Sequence, residues 1–192
     1  MPDAYGDATI VEWVAAGRPH PPPHSYKEAL VRETAYKLSI RRLVETGLGW
    51  GRMVRAIVRD FDEVVTIERD ENLYRDGVEE FSGTENVRLF HGDSSALLPA
   101  IILEMDGACL FWLDAHGADG SPILSELSAI LSRGKAGNGD VVMVDDVRCM
   151  GVEPGWPALS EVCAPIKAHR PEWIVTIKHD VLIAHRSTNG GV

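Results

Sequence analysis

The sequence has few cysteines and lacks any long apolar run. Its three cysteines (Cys109, Cys149 and Cys163) form no Cys-X-X-Cys pair and cannot all be joined within one chain, which favours a reducing compartment. No segment approaches the roughly 20 apolar residues that cross a bilayer, so a transmembrane helix is excluded. The acidic start of the chain also lacks the basic residues that open a secretory signal. We therefore expect a cytoplasmic protein without a membrane partner.

Basic residues are scarce in the middle of the chain. Residues 61–146 contain 18 acidic and 5 basic side chains, and the net charge of all 192 residues is −10. Because an acidic surface repels a phosphate backbone, we do not expect nucleic acid as a partner. The content of 45% hydrophobic and 25% charged residues is typical of a globular domain and too apolar for a disordered chain.

A proline-rich segment separates an N-terminal arm from the rest of the chain. Residues 18–24 read Arg-Pro-His-Pro-Pro-Pro-His, a stiff extended stretch that does not form a helix. Ser25, with Glu28 three positions later, predicts a capping box at the start of a helix that ends near Ser39. We therefore expect an arm over 1–24 and one domain over 25–192. An exposed arm is a candidate contact for a second subunit, so the sequence allows a homo-oligomer.

Short apolar runs alternate with segments of helical periodicity through most of the domain. The predicted strands are 42–46, 63–68, 86–91, 108–114 and 140–145, and the predicted helices between them are 52–60, 70–81, 95–105 and 122–132. Such repeated alternation predicts βαβ units, which form a parallel sheet covered by helices on both faces. Two further apolar runs, 173–178 and 181–186, are only two residues apart and must form an antiparallel hairpin.

Glycines at alternate positions follow the first predicted strand. Ligands of an open parallel sheet bind at the carboxyl ends of its strands, and here the sequence reads Glu45-Thr46-Gly47-Leu48-Gly49-Trp50-Gly51. Glycines allow a tight turn and the close approach of a ligand just before a helix. A dinucleotide-binding fingerprint would need glycine where Arg52 stands, which argues against a nicotinamide-dependent oxidoreductase. A purely structural turn is the alternative.

Acidic residues stand at the ends of the second and third strands as well. Glu68 is placed to accept hydrogen bonds from ribose hydroxyls. Asp93, with Ser94 beside it, is placed to accept a hydrogen bond from an exocyclic amine. The alternative for Asp93 is to cap the following helix.

These three motifs resemble those of the class I S-adenosylmethionine-dependent methyltransferases. VETGLGWG is similar to the glycine-rich first motif, VVTIERD to the acidic second-strand motif, and LFHGDSSALLP to the adenine-contacting third-strand motif. The resemblance covers about residues 43–147. It implies an α/β, Rossmann-like, doubly wound sheet of seven mostly parallel strands in the order 3-2-1-4-5-7-6, with the last strand antiparallel. The implied contacts with S-adenosylmethionine are Glu45, Gly47, Gly49 and Gly51 for the methionine moiety, Glu68 for the ribose, and Asp93 and Ser94 for the adenine.

Three more carboxylates follow the fourth and fifth strands, at neighbouring strand ends. Oxygen ligands at this density suit a hard cation such as Mg²⁺. The arrangement is similar to that of the metal-dependent O-methyltransferases of the catechol and macrocin types, whose metal binds the substrate hydroxyls. On that resemblance Asp114, Asp145 and Asp146 hold Mg²⁺. The alternative is that Asp145 and Asp146 cap the following turn.

The catechol-type enzymes carry a lysine base three residues after the first acid, where this chain has Gly117. His116 is the nearest group suited to accept a proton, because imidazole titrates near neutral pH. The alternative is a histidine that orients Asp114 or packs in its loop. We therefore predict that Asp114 and His116 are the catalytic residues.

The sequence thus predicts methyl transfer from S-adenosylmethionine to a hydroxyl of a small-molecule acceptor, assisted by Mg²⁺. Two alternatives stay open: a metal-independent methyltransferase, and a nucleoside-binding module without turnover. The loops 118–121 and 149–157 are candidates to close the site, with Met150 and Trp156 as candidate walls for the acceptor.

Overall fold

A seven-stranded sheet forms the centre of the structure, a computed structural model that describes residues 9–187. Its strands are β1 (Arg42–Thr46), β2 (Glu63–Glu68), β3 (Val87–His91), β4 (Leu110–Leu113), β5 (Val141–Val144), β6 (Trp173–Lys178) and β7 (Val181–Arg186). They follow the order β3-β2-β1-β4-β5-β7-β6. Strands β1 to β5 pair in parallel, and β7 is antiparallel to both β5 and β6. The predicted fold class, strand order and antiparallel hairpin are confirmed.

Within residues 9–187, seven α-helices surround the sheet. They are α1 (Ile10–Ala15), α2 (His24–Leu38), α3 (Arg52–Ile57), α4 (Glu71–Phe81), α5 (Ser94–Ile101), α6 (Ile123–Leu131) and α7 (Leu159–His169). Short 3-10 turns occupy Val58–Asp60, Lys135–Gly139 and Val147–Cys149. No helix of the described residues is long and apolar enough to span a membrane.

Successive residues of the central strands pack into two hydrophobic cores, one on each face of the sheet. Val44 belongs to the core that includes residues of α5, α6 and α7, whereas its neighbour Leu43 belongs to the core that includes residues of α2 and α3. This alternation follows from the period of two along a strand. Because both faces are covered, β4 and β5 are apolar and buried along their whole length.

The start of α2 differs from the prediction. The helix begins at His24 with Pro23 at the N-cap, and Ser25 lies in the first turn without forming a capping box. The carboxylate of Glu28, which was expected to close that box, lies 2.8 Å from Nδ1 of His24 instead. Proline supplies the extended backbone that an N-cap requires, so the cap does not depend on a serine side chain.

The arm contains structure that the sequence pattern did not predict. Thr9 and Glu12 form a capping box at the start of α1. Trp13 in this helix lies against Tyr26 of α2 and against His179 in the β6–β7 turn, with ring centroids 4.9 and 4.7 Å away. The described part of the arm therefore packs against α2 and the hairpin. Residues 1–8 of the predicted arm lie outside the described residues.

Candidate active site

A crevice of about 900 Å³ opens at the carboxyl ends of the parallel strands. It is lined by the tips of β1, β2, β3 and β4, and by His24 from α2. Eight of the predicted site residues line it together: Glu45, Gly47, Gly49, Glu68, Asp93, Ser94, Asp114 and His116. Gly51 lies outside this lining, at the N-cap of α3. The carboxyl ends of the parallel strands thus bring residues that are distant in sequence to one crevice, as the sequence analysis predicts.

Two glycines of the loop after β1 have different roles. A Cβ atom at Gly47 would lie 2.9 Å from the backbone of Ala115, so this glycine allows the loop to pack on the end of β4. A Cβ atom at Gly49 would meet nothing within 4 Å, although Gly49 lines the crevice. Both residues have positive φ angles, +84° and +54°, which side chains disfavour. The loop therefore offers bare backbone to a ligand.

Glu68 fastens this loop to the tip of β2. One of its carboxylate oxygens accepts a hydrogen bond from the backbone N–H of Gly49 at 2.9 Å, and the other accepts one from the N–H of Asp70 at 2.8 Å. A carboxylate has about four lone-pair sites, so each oxygen can still accept from a hydroxyl. The side chain of Glu68 is thereby fixed in position and keeps lone pairs that can accept further hydrogen bonds.

Glu45 lies beneath the crevice and is almost fully buried. Its carboxyl oxygen accepts a hydrogen bond from Oγ1 of Thr66 at 2.5 Å. Burial raises the pKa of Glu45 to about 8, although the Thr66 hydroxyl opposes the shift. The group is therefore mostly protonated at neutral pH in the protein alone.

Asp93 and Ser94 take part in local structure at the start of α5. Asp93 caps the helix, because its Oδ1 accepts hydrogen bonds from the N–H of Ser95 at 2.8 Å and from its hydroxyl at 2.6 Å. The hydroxyl of Ser94 donates to Oε1 of the buried Glu126 at 2.6 Å. Burial raises the pKa of Glu126 to about 7. Both predicted residues still line the crevice, and their contact with adenine stays a prediction.

The carboxylates after β4 and β5 meet a basic residue that the sequence did not point to. The ammonium of Lys27 in α2 donates to Oδ2 of Asp145 and lies 3.4 Å from Oδ1 of Asp146. Asp145 is also held by the backbone N–H of Asp146 at 2.8 Å, and Oδ1 of Asp146 accepts from Arg148 at 2.6 Å. The acidic pair is therefore already engaged by cations of the chain.

Burial dominates the electrostatics of this cluster. It raises the pKa of Asp114 well above its usual range, and the charge of Asp145 adds to the shift. The pKa of Asp145 is raised to about 6 by burial, with Lys27 opposing. For Lys27, burial lowers the pKa, but Asp145 and Asp146 outweigh it and the net shift is upward. The lysine therefore stays charged.

Two clusters of possible metal ligands occur near the strand ends, and each differs in part from the predicted metal site. Within the described residues, one atom each from Asp114, His116 and Asp146 lies within 4.8 Å of the others, and so do atoms of Asp145, Asp146 and Asp180. Two of the three predicted carboxylates, Asp114 and Asp146, thus lie close to His116. Oxygen donors at this spacing fit a divalent cation, while Asp145 faces the ammonium of Lys27. The Mg²⁺ site stays a prediction.

The fold is similar to that of several solved methyltransferase structures. A methyltransferase of Podospora anserina bound to S-adenosylhomocysteine (PaMTH1) matches with a TM-score of 0.60 and 18% identity, over 84% of this chain and 78% of that one. The O-methyltransferase TomG of Streptomyces achromogenes, in complex with S-adenosylmethionine, matches with a TM-score of 0.60 and 18% identity, over 91% and 86% of the two chains. No protein-family model matches the sequence, and no curated protein is significantly similar to it.

The chain has the class I methyltransferase fold. Because the sequence identity is only 18%, the similarity shows the fold alone. The reaction that the crevice supports follows from its side chains.

Trp156, one of the two predicted walls for an acceptor, lies beside the crevice. The rings of His116 and Trp156 are 5.9 Å apart, and Trp156 with Pro157 and Leu124 lines a second cavity of about 260 Å³. The two cavities share lining residues, among them Ser121. The role predicted for Met150 as a wall is wrong, because this side chain is buried in the hydrophobic core.

Lys27 and Glu126 are the residues that sequence reasoning missed. Lys27 lies 118 positions before its partner Asp145, on a helix that no motif connects to the strand ends. Glu126 lies in a segment correctly predicted as a helix, and an acid on the apolar side of that helix was the only available signal. Both are buried ionisable groups, and their partners are defined by the tertiary structure.

Proposed function

We propose that the protein transfers a methyl group from S-adenosylmethionine to a hydroxyl of a small-molecule acceptor. The observation that carries the proposal is the hydrogen bond from the N–H of Gly49 to Glu68, which holds the glycine loop after β1 against the tip of β2. The loop and Glu68 form a cradle for a ligand in the crevice that Asp114 and His116 also line. When bound, S-adenosylmethionine supplies an electrophilic methyl group. The fold shared with TomG, solved with S-adenosylmethionine, supports this choice of cofactor.

The cradle fits the cofactor at separate points. The open backbone at Gly49 suits the methionine moiety, and the spare acceptor sites of Glu68 suit the two ribose hydroxyls. Asp93 has one carboxylate oxygen outside its capping bonds, which suits an exocyclic amine. The buried Glu45 would be driven to ionise by a cationic amine beside it, because an opposite charge lowers a carboxyl pKa.

The chain's own contribution to the chemistry is to position the acceptor and to take its proton. Asp114 has a raised pKa, so it binds a proton more readily than an ordinary aspartate. His116 is exposed two residues later and is suited to pass a proton to solvent. Trp156 provides a flat apolar wall beside His116, which favours an acceptor with a ring.

Mg²⁺ belongs to this proposal as the ion held by Asp114 and Asp146, with Asp145 as the third predicted ligand. When bound, it lowers the pKa of a coordinated hydroxyl and fixes its orientation. A metal-independent reaction is the second candidate, and the contact of Lys27 with Asp145 and Asp146 is the observation that favours it.

A labelled-methyl assay tests the proposal. Wild type is incubated with S-adenosylmethionine carrying an isotopic methyl group and a panel of sugars, catechols and other phenols, and the products are read by mass spectrometry. We expect O-methylation, with the rate reduced by about 10²–10⁴ in His116→Ala and in Asp114→Asn. Addition of a chelator separates the two candidates, since an unchanged rate would mean that no metal takes part. Cofactor binding without any methylated product would leave only the nucleoside-binding module.

A further inference from the structure

Lys27 is a buried lysine whose position is fixed by the fold. Only 9% of its surface is exposed, and it projects from α2, which is anchored by the buried Leu30 and Val31. Its ammonium contacts Asp145 and Asp146 at the tip of β5. A lysine is rarely buried unless it is paired, so this contact explains why the side chain lies there.

Arg148 holds the other side of the acidic pair. Its guanidinium donates to Oδ1 of Asp146 at 2.6 Å and contacts the buried Asp180. The group thus combines the carboxyls of Asp114, Asp145, Asp146 and Asp180 with two basic side chains, Lys27 and Arg148. The acids outnumber the bases, and the excess lies on the side of Asp114, where His116 and Asp146 converge with it.

We propose that Lys27 is the resident cation of this cluster and competes with a divalent cation for it. An ion that takes Asp145 as a ligand would meet the ammonium at the same carboxylate, because Oδ2 of Asp145 accepts from Lys27 and Oδ1 accepts from the N–H of Asp146. An ion held by Asp114, His116 and Asp146 alone would lie near an ammonium that repels it. Metal affinity is therefore set by Lys27 as well as by the carboxylates.

Manganese binding to the protein without cofactor or acceptor tests this competition. Mn²⁺ takes oxygen ligands like Mg²⁺, and its free concentration is read directly by electron paramagnetic resonance. We expect Lys27→Met to bind Mn²⁺ at least about tenfold more tightly than wild type, because the variant loses one nearby positive charge and frees a carboxylate oxygen. Lys27→Arg, which keeps the charge, is expected to bind as weakly as wild type.

Lys37→Met is the matched control, because Lys37 lies on the same helix and pairs only with the exposed Glu33 within the described residues. Its Mn²⁺ affinity should equal that of wild type. Equal affinities of wild type and Lys27→Met, weaker binding by Lys27→Met, or no binding by any variant would overturn the proposal.

A second pair of variants guards against loss of folding, since removing one partner of a buried ion pair is destabilising. Asp145→Asn is compared with the double variant Asp145→Asn/Lys27→Met, which leaves no unpaired member of the Lys27–Asp145 contact. The double variant is expected to bind Mn²⁺ more tightly, because Asp146 is then free of the ammonium. Equal affinities within this pair would also overturn the proposal.

The proposal rests on the acidic cluster of the proposed function but not on methyl transfer itself. The titration contains neither S-adenosylmethionine nor an acceptor. A negative result therefore leaves the methylation assay unaffected, and an absence of methylation leaves the competition between Lys27 and Mn²⁺ measurable.

Discussion

Four carboxyl groups near the crevice have a raised pKa through loss of solvent, three of them buried and Asp114 half-buried: Glu45, Asp114, Glu126 and Asp145. A buried carboxyl resists ionisation because a low-dielectric surrounding disfavours its charged form. A cation placed among them opposes that preference, as Lys27 does at Asp145. The crevice is therefore an environment in which a positively charged ligand gains more than it would at an exposed acidic surface.

The first prediction concerns Glu45 and the dependence of stability on pH. The folded-state pKa of about 8 lies above the ordinary value of 4.5, so the folded protein binds a proton that the unfolded chain has lost between these values. Stability contributed by this group is thus greatest at low pH and is lost as pH rises towards 8. Relative to Glu45→Gln, the wild-type free energy of unfolding should fall by about 2–3 kcal/mol between about pH 5.5 and 7.5, at about 1.4 kcal/mol per pH unit.

Urea unfolding of both proteins at several pH values measures this difference. A glutamine can still accept the hydrogen bond from Thr66, so the variant isolates the ionisation. Parallel pH profiles for wild type and variant would show that Glu45 has an ordinary pKa.

The second prediction concerns Glu68 and the cofactor. Removal of its carboxylate in Glu68→Ala takes away two acceptors for ribose hydroxyls and the contact with Gly49. The affinity for S-adenosylhomocysteine should fall by roughly 2–3 kcal/mol, at about 1–1.5 kcal/mol per hydrogen bond. Glu71→Ala is the control, because Glu71 lines the same crevice but is exposed at the start of α4. Equal calorimetric affinities of wild type and Glu68→Ala would remove the ribose role from this residue.

At the scale of elements, strands were better predicted than helices. The bounds of β1, β2, β6 and β7 agree with the sequence-based ranges, because each strand is a short run rich in apolar and β-branched residues. The helices α1 and α7 were not predicted. α1 is short, and α7 contains an internal proline, Pro165, a residue that usually argues against a helix.

The site residues also divide into those that the sequence predicts and those that it does not. Glu45, Glu68, Asp93 and Asp114 were found because their strands end at one edge of a parallel sheet, and that topology is visible in the alternation of elements. Lys27 was not found, because the packing of α2 against the sheet decides which of its residues reaches the tip of β5. Contacts between a helix and a distant strand end have no periodic signature.

The third prediction tests the position of β7 between β5 and β6. Leu182 is fully buried there, whereas Ile177 on the edge strand β6 is 45% exposed. Leu182→Ala should destabilise the protein by about 2–5 kcal/mol through lost burial and a cavity. The matched variant Ile177→Ala should cost less than about 1 kcal/mol, because an exposed side chain leaves no cavity. Denaturant unfolding compares the two, and equal losses would contradict the observed strand order.

At the scale of the whole molecule, a sheet covered on both faces supports a crevice whose lining comes from the ends of four strands, from the loops after them and from the helices that surround them. The proposed cofactor cradle and Asp114 line one cavity and Trp156 lines a second, and the two cavities share Ser121, so the proposed donor and acceptor would be held side by side. The proposed cradle is the part on which the rest depends, since the proposed methyl transfer requires the cofactor.

Calorimetric titration of the wild-type protein with S-adenosylhomocysteine, and separately with NAD, tests this central claim most directly. The glycine loop with Glu68 predicts a single site with a dissociation constant in the micromolar range for S-adenosylhomocysteine, and no measurable heat of binding for NAD, because Arg52 stands where a dinucleotide fingerprint needs glycine. Binding of NAD with comparable affinity, or no binding of S-adenosylhomocysteine at millimolar concentration, would contradict the account.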